Sequence, residues 1–214
     1  KDNETAANIL DGEIGQSILK EYDNYGVKAL GWGEGGFRHL VTLNKAVREP
    51  ADMKGLKIRC METETYLATY AALGVNAVPM AWSETITGLQ QGTIDAQENA
   101  YEIIVSAKLY EQQKYLISTN AVPDYTTLIV SDEFYQGLTK EQQKIIDQAA
   151  ETAQEKARES ADDRRVQRQK VLEDEGMQIV DVDQKTWKQM QEKCQPVYDS
   201  IRKQAGDKLV DLYM

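Results

Sequence analysis

Gly55-Leu56-Lys57-Ile58-Arg59-Cys60 decides the fold. The short apolar run from Leu56 to Cys60, opened by Gly55, reads as a strand. Apolar residues at helical spacing (Tyr66, Leu67, Tyr70, Ala71, Leu73) follow it until Gly74 stops them. The alternation then repeats. Asn76 to Pro79 reads as the next strand, Ser83 as the N-cap of a helix over Glu84 to Gln91 that Gly92 ends, and Ile94 to Ala96 as a third short strand. Repeated β-α units predict a parallel sheet. Ligands of open sheets lie outside the carboxyl ends of the strands. Arg59 closes the first strand, and Asn99, in Asp95-Ala96-Gln97-Glu98-Asn99, follows the third, so both are expected at one crevice. A guanidinium there offers two parallel donors that match a carboxylate, a geometry lysine cannot reproduce.

Composition narrows the function classes. With 214 residues, 41% of them hydrophobic and 28% charged, the chain can bury one sizeable core or two small lobes. No apolar run approaches the length of a membrane span. A net charge of −10 argues against nucleic acid, which calls for a basic stripe to neutralise phosphates. An acidic body that binds an anion must concentrate positive charge locally, which singles out Arg38 and Arg59. Two cysteines, Cys60 and Cys194, are too few for a disulfide framework and read as free buried thiols. Strand alternation turns Cys60 away from whatever Arg59 faces.

Catalysis finds little support in the residue types. His39 is the single histidine, so neither a Cys-His nor a Ser-His-Asp arrangement is at hand, and His39 itself reads as structural. There is no CxxC, HExxH or EF-hand loop, so no metal or other cofactor is expected. Asp95 and Glu98 form an acidic pair near the crevice, and beside an anion-binding arginine they read as a positioning device. No catalytic residue is assigned, and a binding protein is expected in place of an enzyme.

The rest of the chain supplies further elements. Lys1 to Tyr25 is helical in pattern, with Gly26 as its C-cap, and Val27 to Trp32 and Phe37 to Leu43 read as strands. The intervening Gly31-Trp32-Gly33-Glu34-Gly35-Gly36 is no dinucleotide loop, because such a loop must open a helix and a β-like run follows instead. These glycines read as a flexible or tightly turned crossing near the cleft, with close approach of a ligand as the alternative. Tyr125 to Val130 reads as a returning strand and Ser131 as the cap of a short helical turn. Thr139 and Gln142 form a capping-box pattern, from which helix formers run to Glu175. Unbroken, that helix would be on the order of 55 Å long. Thr186 to Met214 reads as closing helices, with Pro196 at a break or first turn.

Taken in order, Asp11-Gly12-Glu13-Ile14-Gly15, Gly36-Phe37-Arg38-His39, Pro50 to Arg59, Leu73-Gly74, Pro79-Met80, Gln97-Glu98-Asn99, Lys108-Leu109-Tyr110-Glu111 and Leu138 to Gln143 form a pattern that covers the chain. Twenty-one residues separate the two arginines, and forty separate Arg59 from Asn99. The chain thereby resembles the solute-binding receptors of TRAP (tripartite ATP-independent periplasmic) transporters, the DctP-like group. The resemblance implies an α/β, two-lobed periplasmic-binding-protein-like fold with mostly parallel sheets. It also implies a long helix spanning both lobes, packed through Ile145, Ile146, Ala149, Ala153 and Ala157. Family members carry a further N-terminal βαβ portion upstream of the segment matching Lys1 to Gly15, so the N-terminal lobe is expected to be incomplete. Residues 1–36 and 126–164 are expected to form the remainder of that lobe, and residues 37–125 and 165–214 the C-terminal lobe.

The same resemblance places the family's principal carboxylate-binding arginine on Arg59, its second arginine on Arg38 and its cleft asparagine on Asn99. For Arg38, the alternatives are support of Arg59 or an ion pair with Glu34. Trp82 falls where the family has a cleft aromatic, with core filling as the alternative, and Tyr125 is a further candidate ligand contact. The implied function is an extracytoplasmic receptor that captures a small organic acid, a dicarboxylate or a sugar acid, by lobe closure and delivers it to TRAP membrane permease subunits. Neither nucleic-acid binding nor a membrane span of its own is implied. The implied location is periplasmic or extracytoplasmic, with a lipid anchor at the missing N-terminus as one form of it. A sensor or adaptor for a signalling receptor is the alternative on the same fold.

Overall fold

A computed structural model describes residues 3–213; Lys1, Asp2 and Met214, which the expected terminal helices include, lie outside the described residues. The chain divides into two units. One comprises the described chain up to Gly36, Pro123–Val166 and Leu212 onward, and the other Phe37–Val122 with Gln167–Asp211. In chain order the elements are α1 (Asn3–Asp11), α2 (Glu13–Glu21), β1 (Val27–Thr42), β2 (Lys57–Cys60), α3 (Glu64–Ala72), β3 (Asn76–Pro79), α4 (Trp82–Gln90), β4 (Ala96–Ala100) and α5 (Tyr101–Ser106). They continue with β5 (Tyr115–Ser131), α6 (Asp132–Gln136), α7 (Lys140–Glu159), α8 (Ala161–Asp174), β6 (Gln178–Asp181), α9 (Gln184–Lys193), α10 (Gln195–Ala205) and α11 (Asp207–Tyr213). The strands form a sheet in the order β3-β2-β4-β1-β5-β6.

The larger unit holds the hydrophobic core and most of the strand pairing. β2 runs parallel to both β3 and β4, β5 runs parallel to β6 through Tyr115–Ser118, and β1 pairs antiparallel to β4 through Arg38–Thr42. Strand alternation puts successive side chains on opposite faces. Leu40, Ile58, Cys60, Ala96 and Ile117 join one buried cluster. Their neighbours Val41 and Leu116 join another, with Ile94, Ile104 and Leu172. A parallel sheet covered on both faces demands near-continuous apolar runs. The polar residues inserted into this one, Arg59, Gln97, Glu98 and Asn99, are therefore the anomaly to explain.

In the smaller unit the expected glycine crossing is a strand. β1 runs unbroken from Val27 to Thr42, with Gly31, Gly33 and Gly35 at alternate positions along it. A Cβ on Gly31 would come within 2.8 Å of Gln154 Oε1, and one on Gly35 within 2.9 Å of the Asp124 carbonyl oxygen, while one on Gly33 would collide with Thr126 Oγ1. These glycines make room for neighbouring protein groups, which is the reason the strand continues through them. Gln154 also accepts a hydrogen bond from Trp32 N at 2.7 Å. Arg158 clamps α1 by a bidentate pair with Asp11, at 2.7 and 2.8 Å.

The long helix divides. Thr139 caps α7 with both bonds of the capping box in place, but Ser160 leaves helical geometry and separates α7 from α8. The buried positions of α7 are Gln143 and Ala150, whereas Ile145 is 60% exposed and Ala149 and Ala153 are exposed. Ile146 and Ala157 are half-buried on the side of Gln143 and Ala150, so the implied packing face is met in part. Gln143 and Gln154 are turned inward because their amides hydrogen-bond Tyr135 O and Trp32 N. Ile18, Tyr25, Leu128, Ile129, Phe134 and Val166 are exposed apolar side chains of the same unit.

Other local readings shift by a few residues. Ala81, not Ser83, precedes α4, and it makes no side-chain cap bond. The third strand is Ala96–Ala100, so Gln97, Glu98 and Asn99 lie within it. β6 is additional to the expected elements.

Candidate functional site

Arg59 is the third residue of β2, and its neighbours Ile58 and Cys60 are wholly buried. Alternation turns it to the opposite face from theirs. The side chain is only 5% exposed, yet among the described residues no carboxylate pairs with it. Its Nε donates to the carbonyl oxygen of Met80 at 2.9 Å, which fixes the guanidinium plane from the end of the neighbouring strand. The ring of Trp82, the first residue of α4, lies 5.6 Å from Cζ. That is cation–π range, and the indole remains 40% exposed. Burial pulls the Arg59 pKa below its ordinary value, and the Glu98 carboxylate opposes that shift while Arg38 adds to it. A guanidinium stays charged nonetheless. The result is a buried cation with one hydrogen bond, to Met80 O, among the described residues.

Arg38 presents the contrasting case. Its Nε lies 2.5 Å from Glu98 Oε2, and its Nη2 donates to Glu98 Oε1 at 3.0 Å, to Glu98 O at 2.9 Å and to Asn99 Oδ1 at 2.8 Å. This fork-to-fork pair is made across adjacent strands, where Arg38 stands opposite Ala100 and His39 opposite Asn99. The carboxylate paired with Arg38 is that of Glu98. Glu34 lies in the smaller unit, where burial raises its pKa against the opposing charges of Arg158 and Arg164.

Asn99 is 4% exposed and doubly engaged, accepting from Arg38 and donating from Nδ2 to Gln97 Oε1 at 2.6 Å. Arg38, Asn99, Arg59 and Trp82 thus all belong to the larger unit, on β1, β4, β2 and the start of α4. Tyr125 belongs to the smaller unit on β5. Its hydroxyl is buried without a hydrogen-bond partner among the described residues. Burial, reinforced by Glu34, pushes its pKa up to about 12, so the phenol stays protonated at neutral pH. His39 is buried with its ring centroid 4.5 Å from that of Tyr101.

Sequence reasoning missed the partners more than the principals. Gln97 and Gln113, both fully buried, join Asn99 in a hydrogen-bonded series; Glu98, already read from the sequence as a positioning carboxylate, balances the charge of Arg38. A concavity of about 680 Å³ lined by Glu49, Pro50, Leu73, Gln189, Glu192 and Lys193 shares no residue with this cluster and has no buried polar side chain in its wall. Among the described residues no group of His, Cys, Asp or Glu is placed to hold a metal ion, and no helix is long and apolar enough to cross a membrane. The groups gathered around Arg59 can bind and orient an anion.

Residues 1–204 match the family model DctP, bacterial extracellular solute-binding protein, family 7. A solute-binding protein of Verminephrobacter eiseniae is 42% identical over 165 residues, 76% of this chain and 49% of that protein. The 2,3-diketo-L-gulonate-binding periplasmic protein of Escherichia coli is 31% identical over 192 residues, 87% of this chain and 57% of that protein. The chain spans about half the length of the curated relatives it matches. The crystal structure of a TRAP periplasmic solute-binding protein from Polaromonas, bound to D-erythronate, superposes with a TM-score of 0.91 at 33% identity. That match covers 100% of this chain and 70% of the other.

Proposed function

Because the chain belongs to the DctP family of bacterial extracellular solute-binding proteins, we propose that it captures a small organic acid outside the cytoplasm and delivers it to TRAP membrane permease subunits. The observation that carries the reading is Arg59, a nearly buried guanidinium without a carboxylate partner among the described residues. A buried charge is costly until it is paired, and a ligand carboxylate is the partner whose two oxygens match its donors. Trp82 supplies an apolar plane beside that carboxylate for the carbon skeleton of the acid. Arg38 and Asn99 complete the pocket. With Arg38 balanced by Glu98, the site has the net charge to hold one carboxylate firmly.

The test is calorimetric titration with matched pairs: succinate against succinamide, and D-galacturonate against D-galactose. At least one acid is expected to bind, with its neutral counterpart weaker by about 100-fold, the cost of leaving a buried charge unpaired. Equal binding of an acid and its neutral counterpart, or of neither acid among a wider set of carboxylates, would overturn the proposal.

A further inference from the structure

Three buried amides stand in series behind the site. Arg38 Nη2 donates to Asn99 Oδ1 at 2.8 Å, and Asn99 Nδ2 donates to Gln97 Oε1 at 2.6 Å. Gln97 Nε2 donates to Gln113 Oε1 at 3.0 Å, and Gln113 Nε2 donates to the carbonyl oxygen of Val41 at 2.7 Å. Gln97 and Gln113 are 0% exposed.

Each amide taken alone has two orientations of nearly equal shape, since its oxygen and nitrogen exchange on a flip. The ends of the series remove that freedom. A guanidinium only donates and a backbone carbonyl only accepts, so every amide between them must turn its oxygen toward Arg38 and its nitrogen toward Val41. Reversing any one places oxygen against oxygen or nitrogen against nitrogen among side chains closed off from solvent. We infer that Gln97 and Gln113 are positioning residues, a buried relay that locks the orientation of Asn99 so that it addresses the ligand through its remaining Nδ2 hydrogen and holds Arg38 through Oδ1. The inference rests on the reading of Arg59, Arg38 and Asn99 as a carboxylate site. Gln113 reaches that site through two other side chains. It stands just after the helical turn Leu109–Glu111, and the next residue, Lys114, is hydrogen-bonded to Thr42 O, so the relay is anchored at the far end of β1.

Two substitutions in the full chain test it. Gln113→Met keeps the length of the side chain and removes both hydrogen bonds. Affinity for the better of succinate and D-galacturonate is expected to fall about 5- to 10-fold, and to fall no further when the change is made on top of Asn99→Ala, as coupling through Asn99 requires. Side-chain amide resonances of Asn99 are expected to shift and lose protection from exchange in Gln113→Met, although the two residues do not touch. Gln113→Glu supplies a rescue. Its neutral carboxyl can accept from Gln97 and donate to Val41 O, whereas its carboxylate can only accept, and burial raises the pKa of such a group. Native-like Asn99 resonances are therefore expected at acid pH and their loss as the pH rises.

Unshifted Asn99 resonances in folded Gln113→Met, additive losses of affinity in the two backgrounds, or a pH-independent Gln113→Glu spectrum would each overturn the relay. Failure of the site reading has a separate signature. Binding that survives Arg59→Ala defeats the carboxylate assignment, while the resonances still decide whether the amides are coupled.

Discussion

Replacing Arg59 with alanine is expected to remove carboxylate binding, a loss of at least about 100-fold in affinity, with little change in thermal stability. Both halves follow from the same feature. The guanidinium is nearly buried, donates to Met80 O and lies over Trp82, and among the described residues no carboxylate pairs with it. Such a charge contributes little to the fold, since its desolvation offsets the one hydrogen bond and the ring contact. In the complex it meets an opposite charge in a dry setting, where a charge-assisted pair is strongest. Arg59→Lys is expected to recover only part of the loss, because an ammonium cannot present two parallel donors to the acid while also holding Met80 O. Titration with the acid that binds the native protein, beside a melting curve of each variant, checks both halves. Affinity within threefold of native in a folded Arg59→Ala protein would remove Arg59 from the site.

Glu98→Leu is expected to have the opposite signature, a large loss of stability. Glu98 and Arg38 expose only 4% and 11% of their side chains, so deleting the carboxylate strands a desolvated guanidinium. Breaking a buried pair from one side costs about 3–5 kcal/mol, whereas replacing both partners by apolar groups is often neutral. At roughly 2–4 °C per kcal/mol for a protein of this size, the melting midpoint should fall on the order of 10 °C. The double variant Arg38→Met with Glu98→Leu is expected to regain most of that loss. An unchanged midpoint in Glu98→Leu, or a double variant no more stable than the single one, would show that the pair does not carry the stability assigned to it.

Much of the fold was legible because local chemistry dictates it. β3 has the bounds read from the sequence, Ser131 and Thr139 cap the helices they precede, and the apolar run before Arg59 is a buried strand. What escaped depends on partners distant in sequence. Four glycines in six residues read as a flexible or tightly turned crossing, yet Gly31, Gly33 and Gly35 alternate along one strand because Gln154, Thr126 and Asp124 occupy the space a side chain would need. Ile146 and Ala157 of α7 were placed rightly, but Gln143 and Gln154 escaped notice because glutamines, inward by virtue of their hydrogen bonds, carry no apolar signal. In the site, arginine and asparagine announce themselves by type. Glu98 is matched to Arg38 across sixty positions of sequence, and Gln113 to the carbonyl of Val41 across seventy-two, distances over which residue type gives no hint of contact.

Cys60 follows Arg59 on β2 with its thiol wholly enclosed in the core, and burial pushes its pKa up, away from the reactive thiolate. Back to back with the anchoring cation, it is a natural clock. A thiol reagent can reach it only when the strand that carries Arg59 opens, so its labelling rate reads the opening free energy of the binding strand itself, apart from the melting of the molecule as a whole. An acid held on the other face of that strand must slow the clock in proportion to how tightly it is held.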